Sequence, residues 1–372
     1  MRFTCEKALL QTAIMTTGRA VAAKTSIPAL EGILVEALGF LRLTGYNLET
    51  TGIQATIPAK IDEQGTLVLS ARLFGEIVRK LPDEPVTISA QGLTVKIDCG
   101  ASHYTIQAID PEEFPDLPEV EGENEFMLKQ SDLKSMISQT IFAVSSQDIR
   151  PVHTGSLLEV EGNAFTMVSL DGFRLALRRE QLIKNIGDPS YSFVVPAFAL
   201  NEVEKICAES DESVTVTQGP AHILFTIGDT IVVCRRLEGE FLNYKQSIPR
   251  ENKISVLGQT KDLLASINRV SLILSDKLKN PLRCTFGENQ LFVTTKSAIG
   301  DASDTCPMEG DGQGLEIGFD NRYLSDALRF APADKVRLEL NTPVSPCVVL
   351  PESPEDESFL YLVLPVRLKA GD

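Results

Sequence analysis

The chain has no tryptophan, and aromatic residues make up only 6% of it. It therefore offers no run of rings on which successive bases of a single strand could stack. Its three histidines, His103, His153 and His222, lie far apart with no cysteine or acid at ligand spacing, which excludes a metal centre built on imidazoles. The seven cysteines are odd in number, scattered and without a CxxC pair. That leaves reduced, buried thiols in a reducing compartment and no zinc or redox signature. No apolar run reaches the roughly 18 to 20 residues that span a bilayer. The start MRFTCEKALL has no signal-peptide pattern, so a soluble, cytoplasmic protein is expected. Basic residues are outnumbered, 35 against 51, and a net charge of −16 excludes nonspecific nucleic-acid binding over the whole surface. Only a segregated basic face would serve.

What the chain does have is length and repetition. Its 372 residues, 43% of them hydrophobic, are enough for two or three domains with their own cores. LVLSARLFGEIVRKL (67–81), FVVPAFALNEVEKIC (193–207) and LEIGFDNRYLSDALRF (315–330) each read as a strand running into an amphipathic helix. A second set of strand-helix units begins near residues 1, 124 and 252. Alternating apolar segments such as EGILVEALGF, FLRLTGYN and TGIQATIPAK fill the intervals. Each repeat thus reads as strand, helix and three strands, then the same again. The expected fold is α+β, with two helices on two antiparallel sheets in each of three domains, 1–120, 124–247 and 252–372. The acidic stretch 110–125 and PRENK read as solvated connectors.

The six expected helices, 7–22, 71–81, 131–144, 198–208, 261–274 and 320–330, carry eleven Lys and Arg against seven Asp and Glu. An excess of positive charge on equivalent helices, in a chain that is acidic overall, points to one shared electropositive surface. In SLDGFRLALRRE (169–180), Asp171 and Gly172 form a turn pair. The following strand sets Phe173, Leu175 and Leu177 on one face and Arg174, Ala176 and Arg178 on the other.

Enzyme readings fare worse. SDLK (131–134) fits SxxK, but neither SDN nor KTG follows it. GDGQG (310–314) lacks the GK[ST] of a phosphate loop and reads as a flexible connector. A symmetric ligand-binding β-protein would share the repeats but not the helix charge.

The chain resembles, over its whole length, the bacterial DNA polymerase III beta subunit, the sliding clamp. The resemblance rests on the three-fold repeat and on TSIPALEGILVEA, FPDLP, SLDGFRLALRR, LEGEFLNYKQSIP and YLVLPVRL in that order. It implies a DNA clamp fold that closes as a head-to-tail homodimeric ring, with no cofactor, no metal and no catalysis. Duplex DNA would thread the hole without sequence-specific contacts. By position, Lys24 and Gln147 are implied to face DNA. Arg19, Arg72, Arg79, Lys80, Lys205, Arg269 and Arg322 are further candidates from the helices.

The resemblance also implies a groove for QLxLF-type peptides of the polymerase III alpha subunit, the clamp loader, other polymerases and repair proteins. One wall is Leu170, Gly172, Phe173, Arg174 and Leu175; the other is Val344, Pro346, Leu362, Leu364, Pro365, Val366 and Arg367. Apolar pockets would take the peptide's Leu and Phe, and the arginines its polar end, with about micromolar affinity. Leu242, Gln246 and His153 depart from the family pattern beside this groove, and KAGD extends past Leu368. Tyr104 and Ile106 on an edge strand are implied to meet Ile273 and Leu274 of a second copy.

Overall fold

The computed structural model describes residues 1–48, 51–147, 150–274 and 280–368. The tail 369–372, noted above beyond Leu368, lies outside them. Six α-helices form close to the expected windows: α1 (Lys7–Thr17), α2 (Ala71–Lys80), α3 (Gln130–Ser138), α4 (Ala197–Ile206), α5 (Thr260–Ser271) and α6 (Asn321–Arg329). Each starts directly after a strand. In α1 the buried residues Leu10, Ala13, Ile14 and Thr17 recur at helical spacing and make one apolar stripe. In α5 the stripe is Leu263, Ser266, Ile267 and Val270. The Asp320 carboxylate caps α6 by accepting from the Arg322 backbone N–H at 2.9 Å. The windows 7–22 and 131–144 overran, because each helix tightens into a separate 3-10 turn, Gly18–Ala20 and Ile141–Ala143.

All strand pairings are antiparallel, in sheets of five, nine and ten strands. The expected pattern of three strands per half needs correction. Short strands Lys60–Glu63 and Lys184–Ile186 add a fourth to the first two repeats. In the third, the segments run together into two long strands, Leu282–Ser297 and Gly300–Phe319. GDGQG is therefore not a connector but a bend within the second of these. It is glycine-rich because a Cβ at Gly312 would lie 2.4 Å from Phe286 Cβ, and because Gly310 and Gly314 take positive φ.

The described residues gather into two compact units that follow the sheets and not the repeats. One holds Met1–Lys134, Ile183–Asp188 and Phe198–Arg236; the other holds Ser135–Leu182, Pro189–Ala197 and the chain from Leu237 onward. The middle repeat is shared out because its strands pair with both neighbours. Thr230–Arg235 lies beside Thr51–Ile57 in the first unit, and Arg174–Gln181 beside Phe359–Val363 in the second. The first unit's main core packs Phe3, Leu10, Ile33, Phe74 and Ile88 between helices and sheet. The second packs Leu263, Phe286, Phe319, Leu328 and Tyr361 likewise.

The acidic linker is more than a solvated connector. Phe114 is buried and Leu117 packs beside it, against Leu30, Tyr46 and Val68. All seven cysteines are buried and free. Burial pushes the Cys5, Cys207, Cys234 and Cys284 thiols up to about 12, so they stay protonated and inert.

Candidate functional site

Three strand ends meet at one place in the second unit. Arg174, first residue of its strand, lies opposite Val363, last of the strand Phe359–Val363, and Val363 lies opposite Cys347, first of the strand Cys347–Pro351. The turn before Arg174 is held by Asp171, whose Oδ1 accepts from the N–H groups of Phe173 (2.9 Å) and Arg174 (3.0 Å). Gly172 in this turn has φ +89°, which a side chain would strain. Past Val363 the chain is fixed by Leu364 N–H to Phe173 O at 2.9 Å and by Val366 N–H to Gly318 O at 2.7 Å.

The expected wall residues divide into two layers. Leu170, Leu175 and Leu362 are buried in an apolar cluster with Val152, Leu157, Leu177 and Tyr244, and form the floor. Phe173 (58%), Val344 (70%), Leu242, Leu364 and Val366 are exposed apolar side chains. Arg367 is exposed, and Pro346 and Pro365 are half-buried. Exposed Phe173 and Leu364, joined at this junction, with Val366 two residues on, are what a docking site for an apolar peptide needs.

Arg174 is held from within its own chain. Its guanidinium Nε bonds Asp171 Oδ2 at 3.1 Å and Nη1 bonds Asp326 Oδ2 of α6 at 2.6 Å. It also lies 4.7 Å over the Tyr323 ring and 5.4 Å over Phe142. Phe173 stacks on Tyr323 at 5.9 Å. The second face of the SLDGFRLALRRE strand therefore looks inward, with Ala176 buried and Arg178 bonded to Glu180 and to Ser358 O. Tyr323, Asp326 and Phe142 were missed by sequence reasoning. The signal for the first two is that Tyr323 and Asp326 lie three apart and so share one side of their helix.

His153 is 8% exposed and meets the Phe241 ring edge-on at 5.4 Å. Burial, and then the charge of Arg150, hold its imidazole below the ordinary value. The folded protein thus resists a proton that the unfolded chain accepts below about pH 6.5. Stability should fall as pH drops from 6.5 through the lower folded value, with His222 adding in the same sense. Thermal melts from pH 5 to 7.5 on the wild type and His153→Leu should show a shallower loss in the variant. Equal slopes would assign the loss elsewhere.

Of the expected basic residues on and beside the helices, Arg19 and Lys205 share Glu202, Arg72 pairs with Glu76, Arg269 with Asp304 and Arg322 with Asp320. Among the described residues, Lys24, Arg79 and Lys80 are exposed and hold no such partner, and Gln147 is exposed. Exposed pairs of this kind are worth about 0 to 1 kcal/mol and yield readily to a phosphate.

Tyr104, 38% exposed, and half-buried Ile106 lie on Ser102–Gln107, an edge strand as expected. After α5, Ile273 and Leu274 are half-buried and Leu274 packs on the core, whereas Leu272 is 82% exposed. The outward residue is thus one place earlier than expected. In SDLK, Lys134 faces Glu209 at 3.4 Å. No cluster of metal-ligating side chains occurs among the described residues, and no helix there is long and apolar enough to cross a membrane.

Three repeats of strand-helix units packed on antiparallel sheets are the architecture of a DNA clamp. Family models of the DNA polymerase III beta subunit match in succession: its N-terminal domain over residues 1–118, central domain over 127–243 and C-terminal domain over 245–367. The chain belongs to this family, the beta sliding clamps. It is 32% identical to the beta sliding clamp of Halalkalibacterium halodurans, covering 99% of this chain and 100% of that one. To that of Synechococcus elongatus it is 30% identical, covering 100% of both. The solved structure of the DNA polymerase sliding clamp from Bacillus subtilis superposes with a TM-score of 0.93 at 30% identity, over 99% of this chain and 100% of that one.

Proposed function

We propose that two copies of this chain close head to tail around duplex DNA and tether a replicative polymerase and other DNA-processing proteins to it. Three domains per chain, 1–120, 124–247 and 252–372, would supply the six segments of the ring, in the bacterial cytoplasm at the nucleoid. The inward helices would present Lys24, Gln147 and the basic residues above to the phosphates, loosely enough to slide. Partner peptides would lie over the Leu170, Leu175 and Leu362 floor, with Phe173, Leu364 and Val366 as their walls.

One observation carries this reading: the chain builds the same strand junction twice and leaves the two halves of a third unpaired. Thr51–Ile57 and Arg174–Gln181 each pair with the last strand of the next repeat. Their counterpart, residues 300–307, pairs with 290–297 on one side and, among the described residues, with no strand on the other. The last strand of the first repeat, Ser102–Gln107, is equally unpaired at its outer edge. A second copy joins these edges.

The internal repeat also supports a register. Ser102 and Thr230 both follow a two-residue turn, Thr230 lies opposite Ala55, and Ala55 and Arg178 hold the same place, four after Thr51 and Arg174. Arg178 lies opposite Phe359, so Tyr104 stands where Tyr361 does. Leu272 likewise stands where Phe142 does, since α3 and α5 begin at matching residues. Phe142 packs edge-on against Tyr361 at 5.5 Å, so Leu272 is expected against the partner's Tyr104.

The test is primer extension on a long circular template with a bacterial replicative polymerase and clamp loader. Adding this chain should lengthen the products of single binding events, and a linear template with free ends should abolish the gain. A gain that persists on linear templates would mean simple stimulation of the polymerase and no encircling.

A further inference from the structure

The first unit carries an open trough of about 340 Å³ between α1 and α2. Its floor is apolar, built by Ile14 of α1 and by Ala71 and Val78 of α2. Glycine on both sides keeps it open. At Gly18 a Cβ would meet nothing within 4 Å, and at Gly75 it would meet Ile14 Cγ2 at 3.5 Å, an ordinary contact. The other repeats have no such pair. α2, α4 and α6 start at Ala71, Ala197 and Asn321, so Asn201 and Ser325 stand where Gly75 does. Thr17 and Thr140 each donate a hydroxyl hydrogen bond to the carbonyl four residues back, Ala13 O and Met136 O, so Ile141 stands where Gly18 does.

The rim is accessible and partly unused. Met15, 59% exposed, sets a polarisable thioether along one side. Gln11, half-buried beside it, has a side-chain amide with no hydrogen-bond partner among the described residues. Arg72 pairs with Glu76 at 3.4 Å, so that end of the trough is neutral. Arg79 is exposed and holds no carboxylate among the described residues, which puts a free guanidinium about 6 Å beyond Gly75 along the helix. An apolar slot with a sulfur at its side, a free amide and a free guanidinium at one end together match one nucleotide unit. Floor and thioether take the face of a base, the amide bonds its edge, and the guanidinium takes the phosphate. A carboxylate alone would leave the floor unfilled. A base stacked in a duplex cannot enter, whereas an unstacked one can.

We propose that this trough holds one unstacked base of single-stranded DNA, with the adjoining phosphate on Arg79. The proposal rests on the reading above that the helices face the DNA. The chain then passes freely along paired DNA and lingers where a strand is unpaired. One slot of this kind needs no run of aromatic rings, which the sequence does not supply.

The probe is a short fluorescein-labelled strand of abasic sugar-phosphate units carrying a single 2-aminopurine at its centre, with a wholly abasic twin. Both are titrated by anisotropy with the full chain at low salt. The base-bearing strand should bind saturably at about 10 to 500 µM and the twin about five-fold more weakly. Gly75→Met fills the trough and should erase that difference. It replaces a helical glycine by a better helix former at ordinary contact distance from Ile14, so the melting temperature should stay equal or rise, and lost base preference there is not lost folding. Arg79→Gln should weaken both strands about three-fold. No saturation by 1 mM, equal binding of the twin to the wild type, or a base preference that survives Gly75→Met would overturn the proposal. Encircling fails by a different sign, unlengthened products on the circular template, which a titration of free strands does not read.

Discussion

Leu272→Asp should turn the dimer into a monomer at micromolar concentration while leaving each chain folded. Leu272 is the most exposed large apolar side chain in the molecule among the described residues, at 82%, and it follows a helix whose other apolar positions are buried or half-buried. Its counterpart Phe142 lies against Tyr361 and stacks on Phe330 at 4.8 Å. Burying a leucine in such a place is worth about 1.5 to 3 kcal/mol, and forcing a carboxylate into it reverses the sign. Because a closed head-to-tail pair has two junctions, each substitution is felt twice. A loss of about 3 to 5 kcal/mol at each junction takes the dissociation constant up by four orders of magnitude or more. Sedimentation equilibrium should give the dimer mass for the wild type and half of it for the variant, with unchanged far-ultraviolet dichroism. Ile273→Asp should unfold part of the second unit or act less, because that side chain is already half-buried within its own chain. If Leu272→Asp stays dimeric and Tyr104→Asp does too, the third junction does not repeat the first two.

How much of this was legible beforehand depends on the range of the interaction. The helices were readable because their stripes are local: Leu10, Ala13, Ile14 and Thr17 announce α1 within one window. The edge strand with Tyr104 and the apolar groove residues were placed by resemblance and by alternation. The lock of Arg174 onto α6 was not legible, because alternation says only that it lies on the other face from Leu175. Whether that face meets water or a helix 152 residues away in sequence is a property of the fold. The same limit hid the division of the middle repeat between two compact units. Strand pairing such as Thr230 with Ala55 leaves no mark in either strand alone. The glycines of GDGQG were misassigned for the opposite reason. Glycine marks flexibility and tight packing with the same letter, and only Phe286 beneath Gly312 tells them apart.

Arg174→Met is the substitution whose outcome most separates the two meanings of that arginine. Its guanidinium side chain is 13% exposed and the Asp326 carboxylate 22%, so removal leaves two carboxylates, Asp171 and Asp326, facing a partly dry pocket. Breaking a buried pair on one side is costly, and with this residual exposure about 2 to 3 kcal/mol is expected. In a unit of this size that lowers the melting temperature by about 5 to 10 °C. Replacing both partners is far milder, so Arg174→Met with Asp326→Leu should regain at least half of the loss. Below the transition, an apolar QLxLF-type peptide should still bind the single variant within about three-fold of the wild type, because the side chains left to touch it are Phe173, Leu364 and Val366. Phe173→Asp should do the reverse, leaving the melting temperature within about 2 °C and weakening the peptide by more than ten-fold, since the exposed face of the ring over Tyr323 is an anchor and not a strut. Were Arg174→Met to lose the peptide with its melting temperature unchanged, the arginine would be reaching the ligand itself, and the lock onto α6 would have to open whenever a partner docks.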